Sequence, residues 1–122
     1  MNEKILVIDD EIEICNLLQT FLTREGYQAI TATSAAEGIE KLQSEKPKLV
    51  LLDIRMPGMD GVEAMKKIRE IDENVAIIMA TAVVDKKTAD EIASMKATDY
   101  IIKPFDLDYL RNTLLAKLAM LI

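Results

Sequence analysis

Short, β-branched apolar runs alternate along this chain with longer stretches in which apolar residues recur every three or four positions. The runs at 4–8, 27–32, 49–52, 76–80 and 99–102 read as strands. A helical stretch follows each: Cys15, Leu18 and Leu22 mark the inward stripe of the first, and Leu107, Leu110, Leu114, Leu118 and Leu121 that of the last. Boundary chemistry agrees. Gly26 stands just past the first helix, Ser34 opens the second with Glu37 three residues on as a capping box, and Asp106 precedes the last. Five strands alternating with five helices predict an α/β fold, a doubly wound parallel sheet with helices on both faces. The all-apolar Leu49-Val50-Leu51-Leu52 is what a strand buried on both sides looks like.

Composition narrows the partners. The chain has 122 residues, half of them apolar, enough for one domain spanning 1–122 with a real core. Its 15 basic and 21 acidic residues leave a net charge of -6, which argues against a nucleic-acid backbone as direct partner. One cysteine, Cys15, excludes an internal disulfide. Charges interrupt every apolar run before the roughly 18 residues that a membrane span requires. The N-terminus runs into a strand without a signal-peptide pattern, so a cytoplasmic protein with no membrane partner is expected. The last five residues, 118–122, are all apolar, more than one helix face needs; a plain terminus, a dimer contact or continuation into an effector domain would each account for them. Histidine is absent, which removes the commonest general base and zinc ligand, so any chemistry must run on carboxylates, lysine and hydroxyls.

In an open parallel sheet, ligands bind beyond the carboxyl ends of the strands. The polar residues there are Asp9, Asp10 and Glu11 after the first strand, Asp53 after the third, Thr81 after the fourth and Lys103 after the fifth. Helix capping explains one acid after a strand but not three in succession. Asp9, Asp10 and Asp53 gathered together would repel one another, which implies a divalent cation; Mg²⁺ suits a small carboxylate site that keeps some waters. Such an ion would draw in a phosphoryl donor while Asp53, central among the strands, attacks phosphorus. Lys103 and the Thr81 hydroxyl are the donors left to neutralise the transferring group. Pro104 allows a cis bond after Lys103 that would aim the lysine over the strand ends.

Four motifs, in order and each at a strand end, carry a resemblance to the response-regulator receiver family over essentially the whole chain. They are Val7-Ile8-Asp9-Asp10-Glu11, the run Leu52-Asp53-Ile54-Arg55-Met56-Pro57-Gly58-Met59-Asp60-Gly61, Ala80-Thr81-Ala82, and Asp99-Tyr100-Ile101-Ile102-Lys103-Pro104-Phe105. The resemblance implies a flavodoxin-like sheet in the order 2-1-3-4-5 and two-component signalling, with Asp53 as phosphoacceptor for a partner's phosphohistidine. It implies Mg²⁺ held by Asp10, Asp53 and the main-chain carbonyl of Arg55, with Asp9 helping through water, and Lys103 on the phosphoryl oxygens. Thr81 and Tyr100 would form the switch, remodelling the surface of the fourth helix, fifth strand and fifth helix, through which a homodimer could also form.

The implied partners are a sensor histidine kinase or histidine phosphotransferase and a downstream effector or fused output domain. Docking on the first helix falls around Ile12, Ile14, Cys15 and Leu18. The chain would catalyse its own phosphorylation and dephosphorylation without turning over an external substrate. Two positions vary within the family pattern: Lys96, where many relatives carry glycine, and the apolar Val83, expected to slow hydrolysis. The segment 54–74 looks closest to receivers of the sporulation-phosphorelay and nitrogen-regulation type.

Three other readings share parts of this pattern. A flavodoxin needs a Ser/Thr/Gly-rich phosphate loop where this chain has acids. A haloacid-dehalogenase-type phosphatase needs Asp-x-Asp where Asp9 and Asp10 are adjacent. A non-phosphorylated pseudo-receiver acting as a binding module is normally signalled by loss of an acidic-pocket, acceptor or lysine residue; all of these are present here, and that reading stays as an alternative. Within the receiver reading, a phosphorelay intermediate that passes the group on remains the alternative to a switch.

Overall fold

The computed structural model describes residues 3–53, 61–81, 90, 99–102 and 106–119. In chain order these form β1 (Lys4–Ile8), α1 (Ile12–Arg24), β2 (Gln28–Ala32), α2 (Ala35–Glu45), β3 (Leu49–Asp53), α3 (Gly61–Ile71), β4 (Ala76–Thr81), β5 (Asp99–Ile102) and a C-terminal helix (Leu107–Ala119). The strands make one sheet in the order β2-β1-β3-β4-β5, and every pairing is parallel. The α/β class, the five strands and the 2-1-3-4-5 order are those the sequence predicts. Apart from Asp90, which is helical, the expected helix between β4 and β5, with Lys96 near its end, lies outside the described residues, as do Val83 and residues 120–122.

Strand boundaries fall within one residue of the predicted ones, and two of the shifts have clear causes. Tyr27 is not the first residue of β2 because its N–H donates to the Leu22 carbonyl at 3.0 Å while Gly26 N–H donates to Thr23 at 3.1 Å. These two bonds form a Schellman motif that closes α1, with Gly26 at φ +95°, a conformation glycine adopts without steric cost. β3 runs one residue further than expected because Asp53 still pairs, with Ala80.

The period-2 alternation of the strands sorts the core into two layers. Leu6, Ile8, Val50, Leu52, Ile77 and Met79 face α2 and α3, packing on Leu42, Ala64, Met65 and Ile68. Ile5, Val7, Leu49, Leu51, Ala76 and Ile78 face α1 and the C-terminal helix, packing on Cys15, Leu18, Phe21, Leu22, Leu110 and Leu114. Each fully buried Leu or Ile of this kind stabilises the fold by about 1.5–3 kcal/mol. Across the second layer the two helices are joined by Arg111, whose Nε donates to Glu25 Oε1 and whose Nη1 donates to Asp108 Oδ1, both at 2.7 Å, with the guanidinium 5.6 Å from the centre of the Phe21 ring.

On the first layer α2 comes very close to β1. A methyl group at Gly38 would sit 2.7 Å from Cγ1 of Ile8, so only glycine fits there without displacing the side chain next to Asp9. The N-terminus of α2 is capped as predicted, in a slightly different form. Ser34 Oγ accepts from Glu37 N–H at 3.1 Å, but the Glu37 carboxylate reaches past the cap to the Thr33 N–H at 2.8 Å. That bond, with Lys41 close by, holds the Glu37 carboxyl below its usual pKa. α2 ends at Lys46, which takes the left-handed conformation at φ 50°, ψ 60°, a cost of about 1 kcal/mol for a residue with a Cβ.

Candidate functional site

Asp9 and Asp53 continue the parity of Ile5, Val7, Leu49 and Leu51 at the carboxyl ends of β1 and β3. Because Ile8 pairs with Leu52, the next step of the register places the two acids side by side. Both are nearly buried, Asp9 at 3 % exposure and Asp53 at 7 %, while Asp10 on the following loop is exposed. One carboxylate oxygen from each of the three lies within 4.8 Å of the other two. Three like charges at such spacing raise one another's energy and together form a hard-oxygen site suited to a small divalent cation.

Asp9 has a second task. Its Oδ1 accepts the Glu11 N–H at 2.9 Å, closing the turn into α1, whose own N-cap residue makes no side-chain capping bond. Behind it, the Cys15 thiol donates to the Asp9 carbonyl at 3.3 Å. Beneath Asp9 and Asp53 is a space of about 10 Å³, roughly one water in size, lined by Val7, Leu18, Leu51, Ala80 and Leu110. The acids therefore stand on an apolar floor to which α1 and the C-terminal helix each contribute a leucine. Leu110 could not be singled out from sequence because its spacing marks it only as core.

The other predicted site residues are placed in part. Thr81 ends β4, opposite Ile102 and one position past the Asp53–Ala80 pair, and Tyr100 pairs with Met79; their side chains lie outside the described residues. Arg55 and Lys103 lie outside them altogether, although Lys103 directly follows Ile102 in β5. On α1 the expected docking positions divide. Cys15 and Leu18 are core and not available to a partner, since the helical period turns them onto the sheet. Ile12 is 57 % exposed and Ile14 partly so, and Leu17, absent from the predicted set, is 50 % exposed. Among the described residues, no helix is long and apolar enough to cross a membrane.

Comparison with known proteins agrees with this geometry. The family described as response regulator receiver domain matches residues 5–115. Sporulation initiation phosphotransferase F of Bacillus subtilis is 40 % identical over 112 residues, covering 92 % of this chain and 90 % of that protein. The transcriptional regulatory protein ZraR of Klebsiella oxytoca is 40 % identical over 115 residues, covering 94 % of this chain but only 26 % of that longer protein. Among solved structures, a CheY-like response regulator receiver domain protein from Methanospirillum hungatei superposes with a TM-score of 0.96 at 29 % identity, covering 99 % of this chain and 97 % of that one.

Proposed function

The chain belongs to the response regulator receiver family and is a receiver of two-component signal transduction, and from that premise we propose that Asp53 accepts a phosphoryl group from the phosphohistidine of a sensor histidine kinase or histidine phosphotransferase. The convergence of Asp9, Asp10 and Asp53 within 4.8 Å carries this reading. An Asp53 carboxylate oxygen forms the new bond to phosphorus, the phosphorus–nitrogen bond of the donor breaks, and its electron pair returns to the imidazole. The reaction is performed on the protein's own side chain, and hydrolysis of the product, in which water takes the phosphoryl group as inorganic phosphate and frees the Asp53 carboxylate, is likewise self-catalysed, so no external substrate is turned over.

The donor set fits Mg²⁺: Asp9, Asp10, Asp53 and the main-chain carbonyl of Arg55 would hold it. When bound, the ion supplies positive charge that draws phosphoryl oxygens into an acidic site and steadies them. Thr81, which ends β4, and Lys103, which follows β5 in the sequence, are assigned the remaining oxygens, and Thr81 with Tyr100 the switch. The strand positions of Thr81 and Tyr100 support that assignment. Docking of the histidine-bearing partner is assigned to Ile12, Ile14 and Leu17 on α1, where apolar side chains stand exposed beside the acids. The response passes to an effector or fused output domain, with a homodimer through the β5 side of the molecule as one form of it. One domain over 1–122 and residence in the cytoplasm complete the proposal.

The test is to offer acetyl phosphate or phosphoramidate with Mg²⁺ and weigh the intact protein. Wild type gains one phosphoryl group and Asp53→Ala gains none; equal incorporation in both removes Asp53 from its role. A second reading, a relay intermediate that hands the group on, is supported by the likeness to sporulation initiation phosphotransferase F along nearly the whole of both chains. Return of the phosphoryl group from Asp53 to a histidine phosphotransferase would favour relay over switch.

A further inference from the structure

Among the described residues β2 is an edge strand, paired with β1 alone. Gln28 N–H donates to Glu3 and Asp9 N–H donates to the Ala32 carbonyl, so the alternation of a parallel ladder turns the main-chain groups of Ala29, Thr31 and Thr33 outward, away from β1. An open row of this kind is a template for another strand. In this protein a side chain reaches each of the three residues. Gln19 of α1 donates its amide to the Ala29 carbonyl at 3.4 Å, Lys41 of α2 donates to the Thr31 carbonyl at 2.6 Å, and Glu37 of α2 accepts the Thr33 N–H at 2.8 Å. Glu37 also holds Lys41 in place through an ion pair at 3.2 Å. The arrangement covers the edge from both faces of the sheet at once, since α1 and α2 lie on opposite sides.

We propose that Gln19, Lys41 and Glu37 close the β2 edge to strand addition, and that without them this edge pairs with β2 of a second copy of the chain. The occupant is a second copy because two identical edges, set antiparallel, offer each other matching outward donors and acceptors about a twofold axis. Charge supports the guarding role. A lysine on an edge strand's carbonyl row both fills an acceptor and places a charge where a second strand would lie.

The experiment follows self-association of the 122-residue chain by sedimentation velocity, comparing wild type with Gln19→Ala/Lys41→Ala. The double variant should associate at about tenfold lower protein concentration than wild type, a difference of about 1.4 kcal/mol. Adding Thr31→Pro to it should abolish the gain, because proline removes an outward donor without touching the β1 ladder. A folded double variant that associates no more than wild type overturns the proposal, and so does association that Thr31→Pro leaves unchanged. Should the double variant fail to fold, the single variants Gln19→Ala and Lys41→Ala, each uncovering one carbonyl, carry the same comparison. None of these residues belongs to the acidic site, so phosphorylation of Asp53 should be retained throughout.

Discussion

The two ends of the sheet treat charge in opposite ways. At the amino end, long side chains find partners: Lys4 meets Glu45 at 3.4 Å, which offsets an acid placed at the unfavourable C-terminal end of α2. In the last turn of α3, Arg69 bonds the carbonyls of Glu73 and Val75, tying that helix to the start of β4. Burial draws the Arg69 guanidinium below its ordinary pKa, with Asp72 opposing the shift. At the carboxyl end three carboxylates share a space 4.8 Å across. One end is arranged for the stability of the fold; the other gathers like charges in a cluster that could hold a metal ion. A fold tolerates such local conflict where a function depends on it.

Magnesium should have the largest effect on this contrast. A ligand at a hundred times its dissociation constant stabilises the folded state by about 2.7 kcal/mol, so Mg²⁺ should raise the thermal midpoint of wild type and barely move that of Asp10→Asn. A midpoint indifferent to Mg²⁺ in wild type would leave the carboxyl end with no ligand to relieve it. Next comes the amino end, where Arg69→Met keeps the apolar stem and removes the donors to the Glu73 and Val75 carbonyls. Urea unfolding should show a loss of about 2 kcal/mol, the range expected for a charged hydrogen bond. The smallest effect has the opposite sign. Without Mg²⁺, Asp10→Asn should be more stable than wild type by about 0.5 kcal/mol, as expected from the removal of one exposed like charge. With Mg²⁺ the order of the two proteins should reverse, and equal stability in both conditions would show the two ends to be alike.

The same contrast explains what could be read from the sequence. Strand positions were legible because burial on both faces demands an unbroken apolar run, as in Leu49-Val50-Leu51-Leu52, and the acids were legible because a polar residue just past such a run has few structural reasons to be there. Helix faces were legible only in part. The period that marks Cys15 and Leu18 as inward also removes them from the docking surface, while Leu17 shows itself as exposed only once the helix is set on the sheet. The ties at the amino end were not legible at all. Lys4 and Glu45 are 41 positions apart, and a long charged side chain has many partners within reach until the fold selects one. Gly38 gave no signal either, since a glycine inside a helical pattern reads as a weak point until Ile8 is seen filling the place of its missing methyl.

That Asp53 is the last rung of β3, paired with Ala80, has a mechanical consequence. Its Cα is held in the β3–β4 ladder, so a group taken up by its carboxylate, as proposed, would be carried on an anvil of paired backbone. Any displacement would pass first to the leucines beneath, Leu18 and Leu110, and through them to α1 and the C-terminal helix, so that the proposed chemistry would be felt on the helical face rather than in the sheet.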